Sequence, residues 1–286
     1  MSIFASISNR MKQPWIPMAM AAGVLLGPVQ DALAYIPPSA FVVRQMTQKK
    51  AGFKGLRVKS TVIAYEGEKP TGARFRETLS YDPVNFVLRS RALDEAGKEL
   101  FVQERKLGPG ENSFSSLVDR LLLSSDPPGL LRVLGLFGIP VKTDGELESL
   151  PDEEARRAAE VSRMTRYRGT VAWIFGGSKG NDAKAPELWV EKDTFLPLRL
   201  VAKSGDTLLD ATFQEYRFYR EFPYPRVISV NPGTTPVVRV ELGEVVVGAE
   251  VAAEFKKPVT AGWTEAGNSA PGAIRDLVRA HYDLVR

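Results

Sequence analysis

The 286-residue sequence contains no cysteine and a single histidine, His281, close to the C-terminus. The absence of cysteine excludes disulfides, thiol nucleophiles, cysteine-ligated zinc and iron–sulfur clusters. One histidine excludes multi-histidine metal sites, and a serine–histidine–acid triad would depend on the tail of the chain. Charge of one sign is also scarce: 38 basic residues face 34 acidic ones, for a net charge of +4. Lys49-Lys50 is the longest uninterrupted basic pair near the start of the expected mature chain, and no aromatic-interleaved basic run occurs, so no nucleic-acid partner is expected. After residue 34 no apolar segment approaches the length of a membrane-spanning helix. What remains is 44% hydrophobic residues, enough for a globular core.

The N-terminus reads as a secretory signal. Arg10 and Lys12 supply the positive region, and the apolar stretch Trp15 to Gly27 is shorter than the roughly 20 residues needed to span a bilayer but suits a signal core. Ala32-Leu33-Ala34 places small residues where signal peptidase reads them, predicting cleavage after Ala34 and a periplasmic mature chain. Met11 begins a more compact signal than Met1 and is an alternative start. A buried N-terminal helix would have to accommodate Pro14, Pro17 and Pro28. Cleavage would remove Arg10, Lys12 and Asp31, changing the net charge from +4 to +3.

Along the mature chain, the spacing predicts a short first helix over 37–51, capped near Ser39. From Leu56 the period becomes two, with Leu56, Val58, Ser60, Val62 and Ala64 on one face of a strand and Arg57, Lys59, Thr61, Ile63 and Tyr65 on the other. Turns at 66–70 and 94–98 divide further strands at 74–81, 86–93 and 99–106. Phe114, Leu117, Val118, Leu121 and Leu122 then recur at helical spacing. Asp126-Pro127-Pro128-Gly129 interrupts, and a second apolar helical stretch runs to Pro140. A charged helix is expected at 152–165, its acids leading and its arginines trailing. Strands resume at 169–175, 186–192, 196–203, 208–218, 227–230 and 237–247, and a helix closes the chain at 271–285. This is an α+β pattern, one antiparallel sheet with helices gathered against it.

The stretch Pro186 to Leu200 (PELWVEKDTFLPLRL) resembles a hairpin of the periplasmic outer-membrane lipoprotein carrier and lipoprotein-sorting superfamily, the LolA-like half-barrels. The sequel is similar: a turn at Lys203-Ser204-Gly205-Asp206, a strand from Ala211 to Tyr219, then Phe222-Pro223-Tyr224-Pro225-Arg226-Val227-Ile228, and Val237 to Phe255 closing with Lys256-Lys257-Pro258. The resemblance covers about 37–258 and is strongest in 167–258. It implies a curved antiparallel incomplete β-barrel whose concave face is covered by helices and lined by apolar residues that shield acyl chains. It supplies no catalytic residue, and the carrier arginine that tunes release has no single counterpart among Arg57, Arg74 and Arg76. The implied division is a signal at 1–34, a half-barrel at 35–258 carrying a helical insertion at 111–165, and a C-terminal linker and helix at 259–286.

Other candidates are weaker. Gly176-Gly177-Ser178-Lys179-Gly180 lacks phosphate-loop spacing and opens no helix, so it reads as a hairpin loop. Asp152, Glu153 and Glu154 read as dipole-stabilising acids at a helix start rather than metal ligands, and Ser115 and Ser116 lie in no nucleophile elbow. The sharpest candidate is the helical pair. Leu117, Leu121, Leu130, Leu134 and Phe137 carry more apolar surface than one small stripe needs, while Gly129, Gly135 and Gly138 are expected to weaken the helices by about 1 kcal/mol each. Such a cover is either a lid over an acyl site or permanent core. Trp173 with Phe175, and Leu188 with Val190, share strand faces that line either the cavity or the opposite surface. His281 is expected at the partly exposed edge of the last helix. The sequence thus predicts a monomeric, non-enzymatic carrier or chaperone for acyl chains of a lipid or lipoprotein. It would use no cofactor or metal and exchange with an envelope membrane-protein donor or acceptor. The alternative is an envelope binding or sensor protein that engages a protein partner.

Overall fold

Alternation fixes the first strand. In the computed structural model, which describes residues 37–108, 113–139, 141, 162–177, 185–231 and 237–285, Leu56, Val58, Ser60, Val62 and Ala64 are all buried, as their period-two spacing requires. They belong to β1 (Leu56–Glu66), which is followed by β2 (Lys69–Asp82), β3 (Val87–Leu93) and β4 (Glu99–Lys106). A second run comprises β5 (Ser162–Tyr167), β6 (Thr170–Gly176), β7 (Glu187–Glu191), β8 (Pro197–Ser204), β9 (Thr207–Tyr219), β10 (Phe222–Asn231) and β11 (Val237–Val247). A short β12 (Gly262–Trp263) pairs with β4. The sheet order is β12-β4-β3-β2-β1-β11-β10-β9-β8-β7-β6-β5, antiparallel throughout. Two meanders are therefore joined by pairing the first long strand with the last, and the end strands β12 and β5 do not pair with each other, so the sheet is not closed into a barrel.

Residues paired across a ladder lie on the same face, so one rung can be followed across the sheet. Phe75, Val62, Val240, Ile228 and Phe213 form such a rung, and Ala64, Val238, Val230, Ala211, Leu200, Leu188 and Phe175 form another. Every member is buried in one apolar core. The helices cover this inner face. They are α1 (Ser39–Gln48), α2 (Leu117–Leu123), α3 (Pro127–Leu136), a single turn α4 (Glu265–Asn268) and α5 (Gly272–Leu284). Phe75 of β2 meets His281 and Tyr282 of α5 at ring-centroid distances of 5.6 and 6.4 Å. Arg105 of β4 pairs with Leu88, which pairs with Tyr81, and from that same face reaches Asp119 of α2 at 3.4 Å. The outer face is ionic: Glu254, in a 3-10 segment at Ala249–Lys256, bonds Arg57 at 2.7 Å and Ser80 at 2.6 Å.

Several expectations change. The charged helix expected at 152–165 ends as strand, because 162–167 pairs with β6 as an edge strand; the rest of that segment, including Asp152, Glu153 and Glu154, lies outside the described residues. The helical insertion therefore does not extend to 165. Ser39 is not a cap: it is the first helical residue, Pro38 precedes it, and no side chain caps the helix. β2 begins at Lys69 rather than 74, since Glu66 and Lys69 already pair across a two-residue turn with Gly67 at φ 60°. The break expected at 126–129 between the two helices lies at 124–126 instead, and Pro127 and Pro128 start the second helix, where a missing N–H costs nothing. The strand expected at 237–247 is found at those bounds, and the stretch beyond it to Lys256 is a 3-10 segment. The signal segment, its cleavage site and the alternative start lie outside the described residues. No helix of the described residues is long and apolar enough to cross a membrane.

Candidate functional site

The face left open by sequence is decided by register. Trp173 pairs with Val190 and Phe175 with Leu188, and the second pair belongs to the rung that leads to Val238 and Ala64. All four side chains therefore lie on the helix-covered inner face and are buried. The helical pair meets them in the same core: Leu117, Leu121, Leu130 and Leu134 are fully buried, and Phe137, nearly so, stacks edge-on against Phe114 at 5.0 Å. The nine residues singled out from sequence thus share one continuous apolar layer, with the helix leucines filling it. An acyl chain entering this layer would have to displace them.

The cover is less uniformly weakened by glycine than the sequence suggests. Gly138 lies beyond α3 at φ 83°, where the chain turns left-handed and Ile139 N–H closes on Leu134 C=O at 3.0 Å; glycine stabilises such a helix end. Only Gly129 and Gly135 lie within the helix, and a side chain at Gly135 would meet open space.

Polar groups inside the layer were not foreseen. Lys50, two residues past α1, is buried and donates to the carbonyl of Leu121 in α2. Burial lowers its pKa to about 7. Its position was legible after the fact: Val43, Met46, Thr47 and Lys50 fall on one helical stripe, a basic residue on an apolar face. All seven residues of α2 are buried, including Asp119 and Arg120. Arg120 donates to the carbonyl of Gly108 at 2.7 Å. Burial is the main cause that raises the Tyr81 pKa; Asp82 adds to it, while nearby Arg120 opposes it.

His281 is not at an exposed edge. Its Nε2 lies 2.9 Å from Oε1 of Glu77, both side chains fully buried, and Ser60 Oγ donates to the other carboxylate oxygen at 3.3 Å. Glu77 sits in the row of β2 that carries Phe75 and Leu79, so alternation forces an acid inward, and α5 supplies its partner. The serine contacts the acid rather than the imidazole, so the trio lacks the relay of a nucleophilic triad.

The remaining candidates have structural partners. Ser115 accepts from Arg105 at 2.9 Å and Ser116 donates to the Ser113 carbonyl. Gly176 and Gly177 open the hairpin between β6 and β7, with Gly177 N–H bonded to Pro186 C=O; 178–184 lie outside the described residues. Arg57 and Arg74 pair with Glu254 and Glu95, and Arg76 donates to the Asp94 carbonyl. No group of three or more metal-ligating side chains occurs among the described residues.

No protein-family model matches the sequence, and no curated protein matches it significantly. Among solved structures, the chain is similar to a LolA superfamily protein from Nitrosomonas europaea at 10% identity, covering 73% of this chain and 93% of that one, with a TM-score of 0.42. It is also similar to a DUF1329 family protein from Desulfovibrio piger at 13% identity, covering 73% and 91%, with a TM-score of 0.38. A third similar structure is an outer membrane lipoprotein-sorting protein domain from Vibrio parahaemolyticus, at 10% identity, covering 73% and 91%, with a TM-score of 0.38.

Proposed function

We propose that this protein is an exported carrier or chaperone that takes acyl chains of a lipid or lipoprotein into the layer between α2–α3 and the inner sheet face, without covalent chemistry. The observation that supports this is the continuity of that layer: Leu117, Leu121, Leu130 and Leu134 belong to the same buried apolar core as Phe175, Leu188 and Leu200. The energetics permit exchange. A ten-methylene segment entering the layer gains about 8 kcal/mol at roughly 0.8 kcal/mol per methylene. Moving the four leucines out costs about 6–12 kcal/mol at 1.5–3 kcal/mol each. Filled and self-filled states are thus close in free energy, the condition for loading and release.

The test uses the absence of native cysteine. A Cβ built on Gly138 lies 3.3 Å from Cβ of Pro186, near the roughly 3.5–4.5 Å separation of a disulfide. The double variant Gly138→Cys/Pro186→Cys therefore ties the end of the helical cover to the start of β7. Reduced protein is expected to take up an apolar fluorescent probe and to carry lipid in native mass spectrometry; oxidised protein loses both, and reductant restores them. Equal binding in both states shows that the cover does not move. Absence of lipid and probe in the unaltered protein refutes carriage. Export is tested by sequencing the N-terminus of protein from a periplasmic fraction, with Tyr35 expected first.

A further inference from the structure

The β9–β10 turn stands over a cleft of roughly 680 Å³, within the range of small-ligand sites, lined by Lys49, Phe53, Phe218, Arg220, Glu221 and Phe222 among others. Its floor is aromatic and leads inward. Phe53 packs on Phe222 at 4.6 Å and on Tyr81 at 5.9 Å, and Tyr81 belongs to the buried core. Its rim is charged and unusually built. Tyr219 pairs with Phe222, so Arg220 and Glu221 form a two-residue turn, and both are left-handed, at φ 46° and 71°. Such turns favour Asn-Gly; larger side chains there are strained, and retained strain of this kind gathers at ligand sites. One N–H of Arg220 is spent on the carbonyl of Val247 at 2.9 Å. Among the described residues its guanidinium has no carboxylate partner, while the exposed ring of Phe218 stands beside it on the rim. Lys49 donates to the Thr194 carbonyl and lies over Phe195. With Glu221 counted, the lining carries one net positive charge.

We propose that this cleft receives the anionic head of a single-chain acyl ligand, with Arg220 and Lys49 at the head and Phe53 and Phe222 along the first part of the chain. This rests on the acyl-carrier reading and adds to it a place for the head and a preference for its charge. A carboxylate head would come from a free fatty acid and a phosphate head from a lysophospholipid; both suit the forked donors of arginine.

Competition titrations with dodecanoate, dodecyl phosphate and dodecanol test it on the intact protein. The two anions are expected to bind about tenfold more tightly than dodecanol, and the tighter of the two identifies the head. Arg220→Gln is expected to reduce that preference to below threefold, and Glu221→Gln to increase it. Both residues are exposed, so folding is preserved. If the three ligands bind alike, or Arg220→Gln weakens all of them equally, the head site is refuted while acyl carriage stands. If none binds, both readings fail.

Discussion

Breaking the buried pair between Glu77 and His281 is expected to loosen α5 from the sheet. The two side chains meet at 2.9 Å with no solvent exposure on either. Replacing one partner strands a buried polar group, which costs about 3–5 kcal/mol, whereas replacing both with apolar groups of similar shape is often close to neutral. Glu77→Met alone leaves Nε2–H of His281 without its acceptor. His281→Phe alone keeps the edge contact with Phe75 but removes a donor from the carboxylate. Each single variant should therefore lose at least about 3 kcal/mol in equilibrium urea unfolding. For a chain of this size that corresponds to a fall in Tm of roughly 6–12 °C. The double variant Glu77→Met/His281→Phe should recover at least about 2 kcal/mol of the summed loss. Losses that add within about 0.5 kcal/mol, the limit for independent sites, would refute the pairing as the origin of the effect.

Lys50 makes stability depend on pH. Its folded pKa lies near 7 and its unfolded pKa near 10.5, so between these values the unfolded chain holds a proton that the folded chain has lost, and stability rises with pH. Below about pH 7 the burial penalty is fully present. Lys50→Met should remove this rise, the two proteins differing most at the acid end of the range, by up to about 5 kcal/mol at 1.36 kcal/mol per pKa unit, as read by denaturant midpoints from pH 6.5 to 10. Gly135→Ala should stabilise the protein by about 0.5–1 kcal/mol, since its side chain meets nothing within 4 Å. If α3 must move for loading, the same variant should slow probe uptake in stopped-flow fluorescence.

How much was legible from sequence follows from the range of the forces involved. Period-two alternation located β1, β3, β4 and β11 closely, because a strand half-buried against a core writes its faces into consecutive residues. Apolar excess likewise identified α2 and α3. Local patterns failed where partners are distant. The charge order of 152–165 reads as a helix, yet its end, from Ser162, pairs with β6 as an edge strand. A lone histidine on an amphipathic helix reads as an edge residue until β2 is known to turn Glu77 inward beneath it.

The sequence by itself determined the chemistries that its missing residues exclude, the α+β class and the apolar excess of the helical pair. It could not decide which face Trp173, Phe175, Leu188 and Val190 occupy, because alternation separates two faces without saying which one the helices cover. That followed only from the register that carries Phe175 through Leu188, Leu200, Ala211, Val230 and Val238 to Ala64. The tertiary structure also brought together Lys50 with Leu121, Glu77 with His281, and Phe53 with Phe222. Each joins elements far apart in the chain, and no local preference encodes such a meeting.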